Sequence, residues 1–174
     1  MARPYAAAAL PVAHLVLRIL IVLNWLFGIG LIVMLTMMFV YETWTLKALG
    51  VAASAIPDMA FGMRAIPVLG LVAIPLNDLI LRRLRAIVET VRERDPFVAA
   101  NASRLQGIAW ALVALQLISI VIAAVADAIS TPAHPLHLDA GFSIAGWLAV
   151  LLTFVLAREF AEGARMRADL EGTV

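Results

Sequence analysis

Long stretches without a charge, separated by short polar segments, dominate this chain. Ile19–Val40 runs for 22 residues with no Asp, Glu, Lys or Arg, Leu105–Ala126 for another 22, and Ala140–Ala157 for 18. A helix that crosses a bilayer needs ~20 mostly apolar residues, each adding ~1.5 Å toward a hydrocarbon core ~30 Å thick. These runs are apolar all round rather than on one stripe, a pattern that water does not tolerate on a helix surface. A fourth run, Ala65–Leu81, is 17 residues long and contains Asp78, Pro67 and Pro75. Each proline removes one backbone bond and kinks the helix, which membrane helices accept where neighbours re-satisfy the backbone. A re-entrant segment is the alternative for this run. The pattern predicts an all-α polytopic membrane protein, an up-down bundle of four transmembrane helices. Residues 1–174 form one domain, with spans at about 15–40, 60–84, 103–127 and 140–160.

Composition removes the competing classes. Apolar residues make up 64% of the chain and charged residues 14%, with a mean hydropathy of +0.99. A soluble domain of this size cannot hide so much apolar surface. With no Cys there is no disulfide scaffold and no thiolate chemistry.

The few charges set the expected orientation. With four spans, both termini and the link between the second and third helices share a side. That side collects Arg3, Arg82, Arg83, Arg85, Arg92, Arg94, Arg104, Arg158, Arg165 and Arg167, against Lys47 and Arg64 on the other. The positive-inside rule then places both termini in the cytoplasm. The first uncharged run is too long for a signal-peptide core and abuts Arg18, so it reads as a retained helix. Arg18 and His14 sit at its cytoplasmic boundary, where an arginine can reach headgroups.

Between the spans, the outer loop 41–64 offers Tyr41 and Trp44 as interface anchors and room for a short surface helix before Pro57. The second helix continues past the membrane over 82–94, with Leu84, Ile87, Val88 and Val91 on one face, until Asp95-Pro96 breaks it. This basic hairpin, 82–104, and the charged tail 158–174 are the two hydrophilic features on the cytoplasmic side.

Candidate chemistry is sparse. His134, His137 and Asp139 carry nitrogen and oxygen ligands of the kind that hold zinc, but Pro132 and Pro135 stretch the segment and no fourth ligand is near in sequence. A solvated loop is therefore the favoured reading over a metal site. Asn24, Asn77, Asp78 and Gln116 are polar residues within spans, where such groups either line a route or bond between helices. Asp78 stands four residues before Arg82, a spacing that permits an ion pair. Gly28, Gly30, Gly107, Ala111, Ala145 and Gly146 have the spacing of close helix contacts, and the third and fourth spans are expected to meet through the last four. Homo-oligomerisation through such residues is the further option.

No metalloprotease, nucleophile-elbow or phosphate-loop motif is present, and the histidines avoid the apolar runs, so the expectation is a non-enzyme without a cofactor. Direct nucleic-acid binding is not expected either, because Glu89 and Glu93 dilute the Arg-rich segment as it leaves the bilayer.

Asp95-Pro96-Phe97, Asn101, Arg104-Leu105 and Ile108-x-Trp110, together with the ending Phe160, Glu162-Gly163, Arg165-Met166-Arg167 and Asp169-Leu170-Glu171-Gly172-Thr173-Val174, resemble a bacterial membrane protein family, domain of unknown function 2975. The likeness runs from the second helix onward, with Met166 where Leu is more usual. It implies four spans and a frequent gene neighbour encoding a small helix-turn-helix regulator. Two functions follow. One is a regulatory membrane partner of such a regulator, docking it on Arg82, Arg83, Arg85, Arg92, Arg94, Arg104, Glu162, Arg165, Arg167, Asp169 and Glu171. The other is a small transporter or channel subunit, its route lined by Asn24, Asn77, Asp78 and Gln116.

Overall fold

The structure is a computed structural model that describes residues 4–48, 56–93, 95, 97–130 and 138–171. It contains α1 (Pro4–Val40), α2 (Glu42–Ala48), α3 (Ile56–Arg92), α4 (Ala99–Ile129) and α5 (Ile144–Glu171), with no strand among the described residues. The all-α bundle expected from the apolar runs is the observed fold. Four helices are long and apolar enough to cross a membrane, over Pro11–Val40, Gly62–Arg92, Ala99–Ile129 and Ile144–Asp169. Only 6% of the most apolar window of α1 is buried within the chain. Val12, Phe27, Ile29 and Phe39 are among its exposed side chains. Water-soluble monomers rarely leave an apolar patch of more than a few hundred Å². Lipid is therefore the solvent for these faces, and this is a multi-pass membrane protein.

Both prolines of α3, Pro67 and Pro75, lie inside a continuous helix, so the weakest run is helical throughout. The fourth long helix starts at Ile144, four residues later than the apolar run begins, and Gly141 supplies the reason. It adopts φ +121°, a conformation that costs an L-residue dearly and glycine little.

Helical contacts divide the chain into two compact units. The first comprises Met1–Asn24, Leu76–Ala114 and Ile144–Val174. Its core is Leu105, Ile108 and Ala157, against which Ile80, Leu84, Ile87, Leu112 and Phe160 pack. Leu84 and Ile87 thus use the apolar face that their spacing predicts. Helices α4 and α5 also meet edge-on at Trp110 and Phe154, ring centroids 5.4 Å apart and planes at 86°. Of the four small residues expected at this contact, Ala111 is buried, whereas two others are placed differently. Ala145 is exposed, and Gly107 faces α3, where the Arg83 guanidinium fills the space beside it.

The second unit comprises Trp25–Pro75 and Leu115–Ser143. Here small residues do bring helices together: a Cβ on Gly28 would lie 3.3 Å from Ile74, and one on Gly70 3.1 Å from Leu31. Gly30, by contrast, faces open space. Helix α2 is the short helix expected in the outer loop, and Thr45 ties it to α1. Thr45 is buried, and its hydroxyl lies 3.0 Å from the Met37 carbonyl and 2.9 Å from that of Tyr41. Tyr41 and Trp44 are exposed, as interface anchors require. Ser119 clasps the approach to α5, accepting from Gly141 N–H at 3.0 Å and lying 3.3 Å from its carbonyl.

Candidate functional site

The polar chemistry of the first unit gathers where α3 turns into α4 and where α5 runs on beyond its apolar stretch. Helix α3 ends as Asp95 N–H reaches back to the Thr90 carbonyl at 2.9 Å, a six-to-one closing bond that satisfies an orphan carbonyl. Helix α4 opens with the Asn101 N–H bonded to the Val98 carbonyl at 2.9 Å. Asn101 is wholly buried and pins the two helices together. Its Nδ2 donates to Thr90 Oγ1 at 2.7 Å, and its Oδ1 accepts from Arg104 Nη1 at 2.8 Å. Thr90 in turn donates to the Ile87 carbonyl at 2.7 Å, and Arg104 reaches the Ala86 carbonyl at 3.3 Å. This polar network ties the end of α3 to the start of α4 at one corner.

The C-terminal helix is fastened to that corner. Arg167 forms an ion pair with Asp95, and Phe160 packs on Phe97 with centroids 5.5 Å apart. Gly163 makes room for the Phe97 ring, since a Cβ there would lie 2.9 Å from Cδ1. The Asp95-Pro96-Phe97 motif and the tail motif, far apart in sequence, are thus partners in the fold through Asp95 and Phe97.

The sequence-predicted docking residues divide by what they already hold. Arg82 pairs with Asp78 at 2.7 Å and Arg92 with Glu89 at 3.4 Å. Arg83 donates to the Ser103 and Arg104 carbonyls at 3.3 and 3.4 Å. Arg85 Nε donates to His14 Nε2 at 2.9 Å rather than to Glu89. Glu162, Arg165 and Asp169 are exposed on α5. Arg94 lies outside the described residues, and Glu171 closes α5 with its side chain outside them.

Three concavities border these residues. One of about 410 Å³, lined by Ala102, Gln106, Phe154 and Arg158, lies between α4 and α5. A second, of about 280 Å³, is lined by Ala164, Arg165 and Ala168 and shares Ala99, Ala102 and Ala161 with the first. Together they form an alanine-floored groove with Arg158 and Arg165 at its edges. The third, of about 670 Å³, opens on α1, α3 and α4 between His14, Arg85 and Arg104. The α4–α5 groove was not legible as a site, because alanines carry no chemical signal; the recurrence of Ala99, Ala102, Ala161, Ala164 and Ala168 is its only trace in the sequence.

The intramembrane candidates do not form one described cluster. Asn24, Asn77 and Asp78 belong to the first unit and Gln116 to the second. Asp78 is accounted for by its ion pair. Gln116 Nε2 is buried with no hydrogen-bond partner among the described residues. His134 and His137 lie outside the described residues; Asp139 is exposed, and no metal-holding group of three or more His, Cys, Asp or Glu exists among the residues described. No family model, no curated protein and no solved structure matches this chain.

Proposed function

We propose that this chain is a non-catalytic regulatory protein of a bacterial inner membrane, with both termini cytoplasmic, that docks a cytoplasmic helix-turn-helix transcription regulator. The observation that carries the reading is the alanine-floored groove on α4 and α5, edged by Arg158 and Arg165. Small residues let a partner helix approach closely, and basic edges select one with acidic flanks. Charge at the rim governs specificity and encounter rate more than affinity. The Asp95–Arg167 pair and the Phe97–Phe160 contact support the same reading, since they pre-order the α5 extension and so lower the entropy a partner must overcome. The charged residues available for the contact are Glu162 and Arg165, with Arg158 beside them. Arg83, Arg104 and Arg167 instead hold the corner in shape.

The test is affinity capture of the regulator from detergent-solubilised membranes with Ala164→Leu, which adds bulk in the groove while Asp95, Phe97 and Arg167 are kept. The regulator is expected to be lost while the variant stays membrane-inserted and as heat-stable as the parent chain. Undiminished capture by Ala164→Leu contradicts the reading.

A further inference from the structure

The cleft of about 670 Å³ on α1, α3 and α4 has a charge pattern that the docking reading does not use. Four arginines line it, Arg82, Arg85, Arg92 and Arg104, with Glu89 and Glu93 opposing them. Arg82 and Arg92 are already neutralised, by Asp78 and by Glu89. Arg85 and Arg104 are not: one donates to an imidazole nitrogen, the other to an amide oxygen and a backbone carbonyl. These neutral acceptors hold the two guanidinium groups in place, and Glu93, the other carboxylate of the lining, offsets only one of their two charges. Thr90 adds a hydroxyl to the same wall.

We propose that this cleft binds the phosphate of an anionic phospholipid headgroup, with Arg85 and Arg104 as its two principal donors. A guanidinium presents paired N–H groups that match phosphate oxygens, and pre-oriented forks bind with less loss of side-chain freedom. The lipid source, rather than a soluble phosphate, follows from what adjoins the cleft. His14 belongs to α1, whose neighbouring Val12, Leu15, Val16 and Ile19 are all exposed apolar residues, a surface on which acyl chains can lie. Arg18, one helical turn from His14 on the same face, is exposed too and makes no ion pair among the described residues. A cation on a lipid-facing helix takes its counter-charge from headgroups. The inference is independent of the docking reading, because its residues lie on other helix pairs and its test needs no partner protein.

The experiment follows the unfolding midpoint of the full-length, detergent-solubilised chain during titration with phosphatidylglycerol, phosphatidylcholine or glycerol 3-phosphate. Phosphatidylglycerol is expected to raise the midpoint saturably. Phosphatidylcholine should need at least about ten-fold more lipid, and Arg85→Ala should weaken the phosphatidylglycerol response by about ten-fold, the loss of one charge-assisted contact. Arg104→Lys, which keeps the charge but not the fork, should weaken it as well, and Arg158→Ala, outside the cleft, should leave it within about two-fold. Arg85 is exposed and outside the apolar core, so Arg85→Ala reports on binding even if Arg104→Lys unfolds the corner. Equal responses to the two lipids, or equal losses in Arg85→Ala and Arg158→Ala, overturn the site. Glycerol 3-phosphate acting as strongly as phosphatidylglycerol overturns its assignment to lipid.

Discussion

The Arg83 side chain on α3 lies across Gly107 on α4, in the volume that any larger residue at that position would need. From there it reaches the Ser103 and Arg104 carbonyls. The glycine therefore serves a cation rather than a helix backbone. Gly107→Ala must push the guanidinium off those carbonyls, a loss of about 1–2 kcal/mol for long bonds to a charged donor. Alanine returns up to about 1 kcal/mol in helix propensity. Alone, the substitution should therefore lower the unfolding midpoint slightly, whereas on an Arg83→Ala background it should raise it. A double-mutant cycle by thermal unfolding in detergent measures the sign change, and additive effects would show that the two residues are uncoupled.

Asn101 is the most sensitive position of the corner. Asn101→Ala removes one of the two acceptors of Arg104 and leaves the part-buried Thr90 hydroxyl without its donor, which should cost about 1–3 kcal/mol. Asn101→Asp keeps an acceptor for Arg104 and loses only the amide donor, so its midpoint should fall between those of the parent and of alanine. An Asp variant as damaged as the Ala variant would place the importance of Asn101 elsewhere than in the Arg104 bond.

Gln116 separates packing from transport. Its buried Nε2 has no partner among the described residues, so replacement by Leu removes a desolvation cost and should stabilise the chain by about 1 kcal/mol. A route-lining glutamine behaves differently, because its loss impairs flux whatever happens to stability. A lower midpoint for Gln116→Leu would mean that the amide is satisfied in the membrane.

The proposed orientation rests on charge placement. Eleven of the 13 basic residues belong to the first unit and only Lys47 and Arg64 to the second. Reporter fusions after Val174 and at Arg94 are expected to read cytoplasmic, and one at Pro135 external. A cytoplasmic signal at Pro135 contradicts the four-span topology.

The apolar runs made the fold legible, since nothing but a membrane helix explains 22 consecutive uncharged residues. Asp78–Arg82 was also readable, because spacing along one helix dictates which side chains meet. Contacts between helices were not readable in this way. Arg85 had an acidic residue at i+4 and instead bonds His14, 71 positions away, because the tertiary fold brings α1 within reach. Gly107 looked like a contact for α5 because glycine signals close approach without saying what approaches. The tail was recognisable as unusual from its mixed charges, but its attachment depends on Phe97 and Gly163, whose pairing no local pattern encodes.

The central claim is that the α5 extension and the start of α4 hold a cytoplasmic partner. The most direct measurement is the distribution of that partner between membrane and soluble fractions when Arg165–Val174 is deleted. The deletion removes Arg165, Arg167 and Asp169 but none of the buried core residues Leu105, Ile108 and Ala157. The account predicts that the shortened chain remains folded in the membrane and that the partner moves to the soluble fraction. A shortened chain that still retains every protein captured by the full-length one would contradict it.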